Sequence, residues 1–138
     1  MDSIIKAFQH VYKKDEYVSC VREDNIIKVI WYMWGSHELV KECCEAQLQQ
    51  VRMGVEFIIV DTSFVKGTIE PQTSVWLEDF LFPAYENAGL KAIITIQSAD
   101  VMARLSNRLW NRAGSKFSFD AINVSTLVEA FDYIQQNP

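Results

Sequence analysis

Val55-Glu56-Phe57-Ile58-Ile59-Val60-Asp61-Thr62-Ser63 opens the stretch that decides the fold, and Leu90-Lys91-Ala92-Ile93-Ile94-Thr95-Ile96-Gln97 closes it. Both are β-branched, apolar runs of strand length. Between them lie a loop, residues 61–70, and a segment opened by Pro71, a residue suited to the first helical position. Two such runs flanking one helix read as a βαβ unit with parallel strands buried on both faces. In such units, sites lie in the loops at the carboxyl ends of the strands. This places Asp61, Thr62 and Ser63 where a site is expected, and no familiar catalytic signature accompanies them.

Working outward, residues 16–22 and 26–34 read as two antiparallel strands joined by a tight turn at Glu23-Asp24-Asn25. The second is apolar on both faces and is expected to be central. Residues 1–16 read as an N-terminal arm packed on the domain. Gly35-Ser36 breaks the strand, and Ser36 is placed to cap a helix whose buried stripe is Val40, Cys44, Leu48 and Val51. Gly54 ends that helix. After Pro71, the stripe Leu77, Leu81, Ala84, Tyr85 and Ala88 continues past Pro83, which predicts a kink or two short helices. Val101, Leu105 and Leu109 mark a third helix. Residues 117–122 read as a fifth strand. Thr126 and Glu129 form a capping box for a last helix buried through Leu127, Val128, Phe131 and Ile134. The expected order is β-β-α-β-α-β-α-β-α, a single α/β domain on a mostly parallel five-stranded sheet.

Composition bounds the function. The chain has 138 residues and a formal net charge of -5, so a nucleic-acid partner is not expected. No apolar run is long enough for a membrane span, and residues 1–6 lack the features of a secretory signal. A cytoplasmic setting is the simplest expectation. Cys20, Cys43 and Cys44 form a poor disulfide framework. The adjacent pair reads either as a vicinal dithiol or as two small apolar residues on a helix, and the missing His and Cys partners favour the second. No metal site or cofactor is expected. His10 and His37 make no zinc pair, and no phosphate loop or dinucleotide fingerprint occurs.

Several short motifs occur in a telling order. Trp34-Gly35 ends the second strand, and the next strand ends in Asp61. Ile69-Glu70-Pro71 opens the following helix with Trp76 five residues on, and Pro83 with Ala88-Gly89-Leu90-Lys91 precedes the next strand. Over residues 17–134 this resembles the SpoIIAA-like group of STAS domains, the sulfate-transporter and anti-sigma-factor-antagonist fold. The small stand-alone bacterial members are most similar. The resemblance implies a β/α fold that is usually non-enzymatic and works by docking to protein partners. Signalling members of the group carry a phosphorylatable Ser in an Asp-Ser-Ser-Gly-like motif at the start of the helix. Here that region reads Thr68-Ile69-Glu70-Pro71-Gln72-Thr73-Ser74, without Ser-Ser-Gly. Ser63 and Thr68 are the nearest phospho-acceptors. The wider superfamily includes Sec14-type lipid-binding domains, so a small apolar ligand is a second expectation, motivated also by Trp34, Trp76, Phe80 and Phe82.

The expected function is therefore a non-enzymatic regulatory or protein-interaction module, with no catalytic residues. Its surface would comprise Trp34, Gly35, Asp61, Thr62, Ser63, Thr68 and Trp76. Asp61 and Thr62 also read as plain loop caps. Arg104, Arg108 and Arg112 form a stripe that reads as a solvated face opposite Val101, Leu105 and Leu109, or as a dock for an acidic group. A homodimer is expected if helices cover only one sheet face, since the other would then need cover.

Overall fold

The structure is a computed structural model that describes residues 8–138. Its centre is a mixed six-stranded sheet in the order β1-β2-β3-β4-β5-β6. The strands are β1 (Phe8–Lys14), β2 (Val18–Glu23), β3 (Ile26–Trp31), β4 (Phe57–Asp61), β5 (Ala92–Ile96) and β6 (Asp120–Val124). β1 to β3 pair antiparallel, and β3 to β6 pair parallel. The sixth strand is β1, so residues 8–14 of the expected arm are an edge strand; residues 1–7 of it lie outside the described residues. The turn between β2 and β3 forms as expected, with Asp24 in the left-handed region at φ 56.

Strand order never reverses, and this decides where the helices go. Three parallel crossovers proceed in one direction, and right-handed crossovers then put all their helices on the same face. Those helices are α1 (His37–Arg52), the composite α2 and α3 (Val101–Gly114). Within α2, Pro71–Trp76 passes through a π turn, Leu77–Leu81, into Phe82–Ala88. The Phe82 amide reaches back to the Leu77 carbonyl, five residues away. That wider turn precedes Pro83, whose ring would otherwise crowd the preceding turn. The expected kink or pair of short helices takes this form.

The last helix, α4 (Leu127–Gln136), is not a crossover and folds over the opposite face of β4, β5 and β6. There Ala130, Leu127, Tyr133 and Ile134 pack against Phe57, Ile59, Ile94 and Ile96. The premise behind the expected dimer, helices on one face alone, therefore fails over this half of the sheet.

Two helical stripes differ from expectation. On α3 the buried residues are Ala103, Ser106, Asn107 and Gly114, while Val101 is 77% exposed and Leu109 is 52% exposed. Small residues face the sheet because the helix approaches closely: a Cβ on Gly114 would lie 2.9 Å from that of Ala121. On α4, Val128 is 69% exposed, and Phe131 is also exposed, because the stripe through Ala130 faces the sheet instead.

The strand expected at 117–122 begins at Asp120. Phe117 and Phe119 stack on each other with centroids 5.9 Å apart and pack against Phe82. Phe82, fully buried, also meets Trp110 at 6.1 Å. It joins α2, α3 and the approach to β6. Phe82→Ala is expected to cost about 3–5 kcal/mol in urea unfolding. A loss below about 1 kcal/mol would show that this cluster is not a core element.

Candidate docking site

The carboxyl end of the sheet is built on the loop that follows β4. Asp61 Oδ1 accepts from the Ser63 amide at 2.9 Å and from Ser63 Oγ at 2.6 Å, which closes a tight Asx-type turn. Thr62 is buried. Its Oγ1 donates to the Ile96 carbonyl at 2.7 Å and accepts from Asn107 Nδ2 at 2.9 Å. It therefore pins β4 to β5 and α3, and presents nothing to a ligand. Ser63 and Thr68 are exposed.

Gly67 is the loop's second anchor. Its backbone is left-handed, φ 76, where a side chain is strained. Its amide donates to Asp100 Oδ2 at 2.9 Å, and its carbonyl accepts from Trp34 Nε1 at 3.2 Å. Asp100 Oδ2 also accepts from the Ala103 amide at 3.0 Å, so one carboxylate caps α3 and holds the loop. The Gly67 amide, followed by the Ala103 amide, holds this carboxyl below the usual aspartate range. Ser98 adds a further tie, its hydroxyl donating to the Val65 carbonyl at 2.8 Å.

Of the residues singled out by sequence, Trp34 packs at 5.6 Å on Trp31 and carries the Gly67 bond. Gly35 serves close packing: a Cβ there would meet Leu39 Cδ2 at 2.6 Å. Trp76 stacks on Phe80 with centroids 5.5 Å apart and meets His37 edge-on at 6.4 Å. His37 itself is engaged: its amide donates to Glu70 Oε2 at 2.6 Å, and Nδ1 lies 2.9 Å from Thr73 Oγ1. Phe82 stands apart from Trp76 and Phe80, with ring contacts to Trp110, Phe117 and Phe119.

Sequence reasoning missed Gly67, Ser98, Asp100 and Asn107. Asp100 had a readable signal, an Asp directly before a helical segment. Asn107 had none, since its role depends on the distant Thr62.

The site leaves several large apolar side chains outward, three of them aromatic. Phe64, 60% exposed, meets the exposed Tyr32 at 5.7 Å, and Phe80, Val75 and Met33 are exposed as well. No group of three or more His, Cys, Asp or Glu side chains among the described residues is placed to hold a metal ion. No described helix is long and apolar enough to cross a membrane.

The three cysteines are buried and unpaired. Burial raises all three thiols above their ordinary range, Cys43 to about 12. They behave as small apolar core residues.

A search of protein-family models, of curated proteins and of solved structures finds no match to this chain in any of the three. The class defined by fold and site is thus an α/β domain with a tied carboxyl-end loop and an aromatic rim.

Two outcomes follow. Asp100 is stabilising as the carboxylate, because its folded pKa lies below the unfolded one. Its contribution is complete above the ordinary aspartate pKa and disappears as pH falls through the lowered folded value. Hydrogen exchange at the Gly67 amide, corrected for intrinsic rate, is expected to accelerate below about pH 4, the ordinary aspartate range. Asp100→Asn should show fast exchange at neutral pH too. A flat profile would remove Asp100 as the loop's anchor. Separately, the native protein is expected to leave a thiol reagent such as dithionitrobenzoate unreacted, and to react at three thiols once denatured. Rapid native labelling of Cys43 or Cys44 would restore the dithiol reading.

Proposed function

We propose that this chain is a non-enzymatic regulatory or protein-interaction module of the STAS type, docking a protein partner at the carboxyl end of its sheet. One observation carries the reading: Thr62, Gly67 and Asp100 tie the loop down internally, while Phe64 on the loop, with Tyr32 and Phe80, is left exposed. Aromatic anchors on a fixed backbone are what interface hot spots require, because little entropy is lost when they are buried. A reducing compartment such as a bacterial cytoplasm suits three free thiols.

Phosphorylation would switch this surface through Ser63 or Thr68, both exposed. At Ser63 a phosphate would bring about two negative charges beside Asp61, in place of the 2.6 Å hydrogen bond. Repulsion would open the turn and move Phe64.

A second reading, a small apolar ligand, is favoured by a groove of about 280 Å³ between α2 and α3.

The docking reading is tested by capture from the natural host. The wild-type chain is expected to retain a stoichiometric protein partner. The double variant Phe64→Ser/Phe80→Ser should bind it about tenfold or more weakly, a loss of at least roughly 1.4 kcal/mol. Its thermal stability should match wild type, since both side chains are exposed. Ser63→Glu should weaken the same complex. Full retention by the double variant would contradict the assignment of this surface.

A further inference from the structure

The groove between α2 and α3 has a chemistry of its own. Leu77 and Phe82 of α2 and Leu109, Trp110 and Ala113 of α3 give it apolar walls. It exists because the α3 stripe differs from the expected one. Small residues take the helix onto the sheet, and Leu109 is left on the open flank. The groove is open to solvent along one side, and its volume of about 280 Å³ accommodates a single short alkyl chain.

The charged residues of the lining specify the other end of the ligand. Arg112, Lys116 and Glu78 also line the groove, which gives it a net positive charge on a protein whose formal charge is -5. Lys116 is paired with Glu78 at 2.6 Å, whereas the Arg112 side chain has no hydrogen bond or ion pair within the described residues. A carboxylate provides the complementary charge and paired acceptor oxygens for such a guanidinium.

We infer that the α2–α3 groove binds a single-chain amphiphile with a carboxylate head, its chain against Leu77, Phe82 and Leu109 and its head toward Arg112. This rests on, and narrows, the ligand reading above. The groove is separate from the aromatic rim, whose Phe64, Trp76 and Phe80 do not line it. Ligand and partner therefore need not compete for one surface.

The test is calorimetric titration of the full chain with decanoate and with decanol, both below their aggregation limits, with tryptophan fluorescence recorded alongside. Decanoate is expected to bind saturably at one site and to change the fluorescence, with decanol about tenfold weaker. Arg112→Gln should weaken decanoate about tenfold and leave decanol unchanged. Leu109→Glu, at an exposed position that folding does not need, should weaken both. Equal binding of decanoate and decanol would overturn the carboxylate assignment while leaving an apolar ligand site. Binding that neither variant alters would overturn the location. No saturable binding of either compound would overturn both this inference and the ligand reading.

Discussion

β4 and β5 carry large apolar side chains on both faces, and that double burial governs the rest of the molecule. Ile58, Val60 and Ile93 point into one core, and Phe57, Ile59, Ile94 and Ile96 into another. Each such side chain contributes roughly 2 kcal/mol when taken out of water, so neither face can stay wet. The crossover helices cover the first face, and handedness leaves them no choice of side. The second face has to be covered by something that is not a crossover. α4 does this, reversing over the sheet after β6. The carboxyl-end loops emerge between these layers and inherit a rigid base.

The parts legible in the sequence were those set by local pattern. The runs at β4 and β5, the Ser36 and Thr126 caps and the stop at Gly54 are each decided within a few residues, and the structure contains all of them. Legibility ended where a distant neighbour decides. Val101, Leu105 and Leu109 form an apolar stripe, yet α3 turns its small residues inward because the sheet below is already filled. Phe117 and Phe119 look like strand residues, and Phe82 draws them into an aromatic cluster instead. β1 carries Lys13, Lys14 and a bulge near Val11, features of a protected edge strand that resemble an arm when read alone.

The site shows the same division. Asp61, Thr62 and Ser63 stand where parallel-sheet topology places a site, but the side chains of all three are engaged in holding the loop together. The surface proposed to meet a partner is the set of aromatic residues around that loop, Phe64 foremost, which no motif announced. The tied loop and the exposed aromatics belong to one arrangement. Asp100, Gly67 and Trp34 fix the backbone, so that Phe64, Tyr32 and the Trp76–Phe80 pair are displayed without large conformational cost. The groove beside α3 is a second surface, basic where the chain as a whole is acidic.

The central claim is that partners meet the carboxyl end of the sheet. Hydrogen–deuterium exchange of the protein with and without its captured partner tests this most directly. The account predicts new protection in peptides spanning residues 32–37, 62–70 and 73–81, with the amides of α4 unchanged. Protection confined to α4 or to the edge strand β1, with residues 62–70 exchanging as in the free protein, would contradict it.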